Sequence, residues 1–284
     1  MTDVLLATFA LMPDGEPGGD LLVEALAERG VDAAWACWDD PDVDWAAARL
    51  VAVRSTWDYH RRCAEFLAWA RRTSVATPLL NGPEVFAWNA DKAYLVELAD
   101  HVPTVPTRLL DDATLVPGLG AALEAWGSVV IKPRTGAGGV GVVVAESLRD
   151  ERLEGLTAAP WVVQPLVASV RTTGESSVYV LGGGAVGQVD KSVSGEEIRV
   201  HELYGGRSRP VALGEEQAVV AEDAVRAAAG LTGADLTYAR VDLMRWEDRW
   251  VVSELELIEP GLYLDVEPAN AVRFADLVAL RLGA

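Results

Sequence analysis

Three lysines occur in the 284 residues, against twenty-one arginines, and they are widely spaced at Lys92, Lys132 and Lys191. Lysine carries a compact ammonium with rotatable donors, whereas arginine presents a planar fork. A chain that meets nearly every cationic need with arginine has kept lysine where a point charge suits. Lys132 ends the apolar run Val129, Val130, Ile131 and precedes Arg134 and the glycines Gly136, Gly138, Gly139 and Gly141. Bare glycine N–H groups beside an ammonium can close over phosphate oxygens. A second charged set lies further on. Side chains alternate across a strand, so Arg240 and Asp242 share one face of residues 238–244, and Glu254, Glu256 and Ile258 share one face of residues 251–258. The turn at Glu247, Asp248 and Arg249 makes these two strands antiparallel neighbours. Three carboxylates and an arginine then converge, while Val241, Leu243, Leu255 and Leu257 point into a core. Clustered carboxylates repel unless a cation sits among them, and hard oxygen ligands beside phosphates suit Mg²⁺. A merely mobile glycine hairpin and a solvated edge hairpin are the plain alternatives for these two segments.

The elements that must position these groups follow from periodicity. The glycines satisfy G-x-G-x-x-G literally, but that motif marks a dinucleotide site only where a helix follows. Here residues 140–145 form a β-branched run, so the glycines read as a flap between two antiparallel strands, which disfavours a nicotinamide-dependent oxidoreductase. Before it, residues 4–9, 31–38, 50–53 and 75–80 read as strands and 64–72 as a helix. Asp20 is the expected N-cap of a helix over 21–29, stopped by Gly30. That alternation predicts a small parallel α/β unit. Strands follow at 129–131, 142–145 and 161–163, with a helix near 147–156. From residue 166 on, period-2 runs at 177–181, 185–191, 238–245 and 250–258 predict hairpins, interrupted by a helix over 215–229. The expected class is therefore α/β followed by α+β, in three units: 1–85, 86–165 and 166–284.

A net charge of −19 argues against nucleic acid or an anionic membrane as partner. Cys37 and Cys63 form no framework and read as reduced thiols. With no basic leader and no run of membrane-spanning length, the expectation is a cytoplasmic protein; a homodimer is left open.

In this order, the motifs resemble the ATP-grasp superfamily of carboxylate–amine ligases over residues 80–270. The resemblance implies the ATP-grasp fold with an N-terminal Rossmann-like, pre-ATP-grasp domain, with ATP and Mg²⁺ as cofactors. It implies that Lys92, Lys132 and Lys191 contact phosphates under the flap of Gly136, Gly138 and Gly139, and that Glu175 holds the ribose. In Val162, Val163, Gln164, Pro165, Leu166 and Val167 it implies a hinge whose backbone near Gln164 and Leu166 reads adenine, Gln164 standing where the family has glutamate. Arg240 and Asp242 resemble the R-[IV]-D signature of the D-alanine–D-alanine ligase group. Glu254 and Glu256 match its E-x-N metal pair, with glutamate for asparagine, so that Asp242, Glu254 and Glu256 are the implied metal ligands. Residues 198–201 with Tyr204 resemble the phosphate-side loop of the glutathione-synthetase and RimK-like branch. A narrower likeness, carried by Arg54 to Tyr59, by Trp88, Asn89, Asp91 and Lys92, and by residues 254–260, is to the small group that includes O-ureido-D-serine cyclo-ligase.

The expected reaction is activation of a small amino-acid-like carboxylate by ATP, giving an acyl phosphate and ADP, followed by attack of a nitrogen in the same molecule. Arg240, Arg199 and Lys191 are the expected catalytic cations. Arg54, Trp57 and Asp58, at the carboxyl end of a parallel strand, are the candidate substrate contacts, with His201, expected on a strand face beside Arg199. A two-substrate dipeptide ligase is the main alternative. A non-catalytic nucleotide-binding module is a lesser one.

Overall fold

The computed structural model describes residues 2–283. The N-terminal unit is built on β1 (Val4–Thr8), flanked in parallel by β2 (Ala33–Cys37) and β3 (Leu50–Val53) in the order β2-β1-β3. Helix α1 (Gly19–Ala27) lies between β1 and β2 in sequence and α2 (Cys63–Ala76) follows β3. Two expectations fail here. Asp20 does not cap α1; Gly18, in the left-handed region at φ 79°, precedes the helix and Asp20 sits inside its first turn. Residues 75–80 are not a strand, because α2 buries Phe66, Trp69, Ala70 and Thr73 at helical spacing and runs through Ala76. Val75, 89% exposed, has no sheet face to cover, and only Leu79 bridges to Val51. Thr77, extended before Pro78, ends the helix.

Short helices α3 (Pro83–Asn89) and α4 (Tyr94–Leu98) lead into a four-stranded antiparallel sheet. Its strands β4 (Arg108–Leu110), β5 (Val129–Pro133), β6 (Val143–Ala145) and β7 (Trp161–Pro165) run in the order β4-β7-β5-β6. Helix α5 (Leu115–Trp126) covers this sheet, Leu119 and Ala122 joining Leu110, Ile131 and Val163 in its core. The expected helix near 147–156 is only a 3₁₀ turn over Glu151–Gly155. The segment is nearly all exposed and offers no apolar stripe to bury beyond Leu153 and Leu156.

The largest sheet is antiparallel, β8 (Glu175–Leu181), β9 (Gly184–Ser192), β10 (Arg207–Val211), β11 (Tyr238–Trp246) and β12 (Arg249–Glu256), ordered β10-β9-β8-β11-β12. The β11–β12 hairpin turns at Glu247 and Asp248, both with positive φ. One face packs on α6 (Glu215–Thr232): Val178, Val180, Val241, Leu243, Leu255 and Leu257 meet Ala221, Ala224, Val225 and Ala228. Val85, Tyr94, Leu95 and Leu98 of α3 and α4 join that same core. The last helix, α7 (Ala269–Leu282), returns to α1 and the N-terminal sheet, bringing Phe274 against Leu22, Leu26 and Tyr238. Thus one side of the large sheet is sealed by helices α3, α4 and α6, while on the other Tyr179, Leu181 and Tyr238 pack on α7 and the charged residues line a cleft shared with the four-stranded sheet.

Candidate active site

Strand register assembles the charges. Arg240 lies opposite Glu256 and Asp242 opposite Glu254 across β11–β12. Ser177 lies opposite Asp242, and Glu175 opposite Lys191, on the neighbouring strands. Directly opposed side chains on one face interact, so the register gathers Lys191, Glu175, Arg240, Asp242, Glu254 and Glu256 on four neighbouring strands, with Arg240 set against Glu256 and Lys191 against Glu175. Asp242 is its centre. It accepts from Arg240 Nε and Nη2, each at 2.9 Å, from the Ser177 hydroxyl, and from Lys191 Nζ at 3.4 Å. Arg240 also bonds Glu256, and Lys191 reaches Glu175 at 3.1 Å. Burial resists ionisation of Asp242, but Arg240 and Lys191 overcome it and hold the carboxyl far below its ordinary value. Glu256 goes the other way. Burial, incompletely answered by Arg240 and made worse by Asp242 and Glu254, pushes it up to about 7.

Asp242, Glu254 and Glu256 line the same cleft. Among the described residues, however, no three acidic, His or Cys side chains are grouped so as to hold a metal by themselves. Each acid is instead turned onto a cation: Asp242 and Glu256 onto Arg240, Glu254 onto Lys92 at 2.8 Å. That arrangement fits Mg²⁺, which is usually held by one or two carboxylates plus substrate phosphates, not by an all-protein cage. The donor set, Asp242, Glu254 and Glu256, is all hard oxygen.

The three lysines differ in a telling way. Lys92 donates to the Gly136 carbonyl at 2.9 Å and pairs with Glu254, tying the flap to an acid. Lys191 is shared by Glu175 and Asp242. Lys132 has neither kind of bond among the described residues: burial, with the Lys92 charge added, pushes its ammonium below the ordinary value, against the charges of Glu254, Glu175 and Asp242. It is a desolvated cation in need of an anion.

The flap connects antiparallel β5 and β6. Gly138, Gly139 and Gly141 take positive φ there, at 61°, 72° and 74°, a conformation that costs glycine least. A Cβ on Gly139 would lie 3.2 Å from the Tyr204 ring, so the flap rests against that ring and the Arg199 stem. Arg199 stacks on Tyr204 with its Cζ 3.6 Å from the ring centroid and is forked onto Glu197 at 2.9 and 2.7 Å. His201 lines the cleft and its Nδ1 accepts from the Leu203 N–H at 3.2 Å. Residues 197–200 form no strand, so the expected shared strand face of Arg199 and His201 does not exist; the turn at Glu202–Tyr204 brings them to the cleft instead. At the hinge, Gln164 spends its amide on Thr107, and the Leu166 N–H already donates to Ser128 at 2.9 Å. Pro165 has no N–H, which leaves Val167, also in the cleft, as the next backbone donor.

The N-terminal trio stands apart from this site. Arg54 is 0% exposed and does not reach the cleft. It lies over the rings of Phe274 and Tyr238, at 4.6 and 5.3 Å, donates to the Pro260 carbonyl, and sits 3.6 Å from buried Glu16. Asp58 accepts from Trp38 Nε1 at 2.9 Å and from Arg62. Trp57 Nε1 donates to the Glu259 carbonyl at 3.2 Å. The reason is packing: α7 covers the end of β3, closing the strand end that sequence reasoning left open to a ligand. The neighbour that does line the cleft is Tyr59, and with it Asn89, Ser253 and Glu259 were missed. Asn89 is a brace, donating to the Leu255 carbonyl and accepting from the Leu257 N–H, both at 2.8 Å, so it pins edge strand β12. The amide's place two residues before Asp91 and three before Lys92 was the available signal.

Comparison with known proteins gives the family and the fold. Residues 4–81 match the family model described as D-cycloserine synthetase DcsG, N-terminal domain. The cycloserine biosynthesis protein DcsG of Streptomyces lavendulae is 33% identical over 278 residues, covering 92% of either chain. The crystal structure of D-cycloserine synthetase DcsG superposes with a TM-score of 0.85 at 30% identity, covering 98% of this chain and 99% of that one. The D-alanine–D-alanine ligase of Bacillus anthracis complexed with ATP shares the fold, with a TM-score of 0.67 at 14% identity over 99% and 98% of the two chains. No helix among the described residues is long and apolar enough to cross a membrane.

Proposed function

Because the chain belongs to the DcsG-like group of the ATP-grasp superfamily, ligases that form carbon–nitrogen bonds with ATP, we propose that it closes a small amino-acid-like substrate into a ring, in the manner of cycloserine formation. A carboxylate oxygen of the substrate attacks the γ-phosphorus of ATP, the bond to the β-phosphate oxygen breaks, and ADP leaves. A nitrogen of the same molecule then attacks the acyl carbon. The carbon–oxygen bond to phosphate breaks, inorganic phosphate departs, and the nitrogen gives up its proton to solvent.

The observation that carries this reading is Lys132, a half-buried ammonium without a hydrogen-bonding partner among the described residues, in one cleft with Arg240, Asp242, Glu254 and Glu256. Phosphoryl transfer asks little covalent chemistry of a protein; positioning and charge neutralisation do most of the work. Lys132 and Lys92 meet the phosphates beneath the flap, and Lys191 and Arg240 neutralise charge that develops on the transferred group. Arg199, stacked on Tyr204 and already paired with Glu197, orients the loop beneath the flap and contributes little free charge. Glu175 faces the ribose, and the hinge carbonyls and the Val167 N–H receive the purine edge. Asp242, Glu254 and Glu256 would hold Mg²⁺, which supplies charge withdrawal from the phosphate oxygens when bound.

Lys132→Ala is expected to weaken ATP binding by roughly ten- to hundredfold, the size of one lost charge-assisted contact, with turnover falling in parallel. Calorimetry with an ATP analogue checks it, and wild-type affinity would place the phosphates elsewhere. For the reaction itself, the expected products are ADP and phosphate from one amino acid that bears a carboxylate and a distal nitrogen. Hydroxylamine should divert the acyl phosphate to a hydroxamate, read by mass spectrometry. AMP as the main nucleotide product would exclude this chemistry. A requirement for two amino acids, with a dipeptide formed, would replace ring closure by intermolecular ligation.

A further inference from the structure

Beyond β12 the chain leaves the sheet through Ile258, Glu259, Pro260 and Gly261. Glu259 is 7% exposed and lines the cleft. The other four acids of the cleft are each bonded to a cation: Glu175 to Lys191, Asp242 and Glu256 to Arg240, Glu254 to Lys92. The Glu259 carboxyl is met by no hydrogen bond except one from its own backbone N–H, and burial, with the Glu256 charge added, pushes it well above its ordinary range. Glu259 is thus the one acid lining the cleft, among the described residues, that no cation of the chain bonds, and it stands where a ligand in the cleft can meet it.

The backbone shows that this placement is held. The Glu259 carbonyl accepts from Trp57 Nε1, the Pro260 carbonyl accepts from Arg54, and the Leu262 N–H donates to Glu16 at 2.7 Å. Three anchors at residues 259, 260 and 262, two of them buried, hold the main chain that carries the carboxyl. Its surroundings mark the end of the cleft nearest the N-terminal unit. Tyr59 of the N-terminal unit lines the same cleft. The flap and hinge lie on the other side, on the four-stranded sheet.

We propose that Glu259 is the amino-recognition subsite: its carboxylate accepts the α-ammonium of the substrate and sets the substrate carboxylate toward Lys132 and Arg240. This rests on the ligase reading above, and adds to it a substrate class, α-amino acids whose amino group is a recognition handle and not the nucleophile. A compound such as O-ureido-D-serine fits that class, because the nitrogen that would close its ring is the one bonded to oxygen, leaving the α-amino group free.

The test uses the full chain with ADP and Mg²⁺ present, and measures calorimetric binding of O-ureido-D-serine and of its desamino analogue, 3-(ureidooxy)propanoate, alongside ADP release from ATP. The wild-type chain should prefer the amino compound by roughly ten- to hundredfold. In Glu259→Gln that preference should fall to near unity, with the KM for ATP and the Mg²⁺ requirement unchanged. Glu259→Asp, which keeps the charge, should restore part of it. Preference retained in Glu259→Gln overturns the assignment, as does a shifted Mg²⁺ requirement, which would make Glu259 a metal ligand. Glu259-dependent binding without ADP release would leave the subsite standing and overturn the proposed reaction instead.

Discussion

Glu256→Gln is expected to lower kcat by roughly two to three orders of magnitude at ordinary Mg²⁺ concentration, the scale seen when one transition-state electrostatic contact is removed. The substitution is nearly isosteric, and its amide oxygen can still accept from Arg240, which keeps its two bonds to Asp242. The strand pairing of β11 and β12 therefore survives. If Glu256 is one of the three carboxylates that hold Mg²⁺, as proposed, the substitution removes one charged ligand and lowers metal affinity. Raising Mg²⁺ should recover part of the rate without changing the KM of the organic substrate. Asp242→Asn is a poorer probe, since it strips the shared partner of Arg240 and Lys191 and leaves both buried charges underpaired. Full turnover of Glu256→Gln at low Mg²⁺ would remove this acid from the metal set.

Glu256 could be placed from sequence because β11 and β12 are adjacent, joined by a short turn, and alternate strictly. Once that hairpin is drawn, the pairing of Arg240 with Glu256 and of Asp242 with Glu254 follows from register alone. The same logic reached the flap, where glycines stand between β-branched runs. It failed where position is set by a distant element. Nothing local to Arg54 shows that α7, more than two hundred residues later, covers the end of β3, or that Glu16 and Tyr238 converge on the guanidinium. The reading of 75–80 as a strand failed for a related reason. Val75 and Ala76 at its start are exposed and belong to the end of the preceding helix, whose buried stripe is stronger, while only Leu79 and Leu80 turn toward the core. Glu259 lay inside a quoted motif and went unassigned, because an acid without a partner is recognised only when every neighbour's partner is known.

Arg54→Ala is expected to destabilise the fold by about 3–5 kcal/mol, the cost of breaking a buried ion pair from one side, and not to act on substrate affinity first. Arg54 and Glu16 are both inside the protein, 3.6 Å apart. At that separation they attract without a hydrogen bond, and burial outweighs the attraction, so the Glu16 carboxyl titrates above its ordinary range. Removing the guanidinium leaves Glu16 with only the Leu262 N–H, frees the Pro260 carbonyl, and opens a hole between the rings of Phe274 and Tyr238. Urea unfolding measures the loss. Arg54→Met combined with Glu16→Gln separates charge from volume: it refills the hole and discharges the acid, and should recover most of the stability. If Arg54→Ala unfolds like the wild-type chain and instead raises the KM of the amino-acid substrate alone, the guanidinium reaches the ligand in solution and the brace assigned to it is wrong. If stability and KM both fall to the double variant's rescue, then holding residues 259–262 in place is how this buried cation serves the cleft.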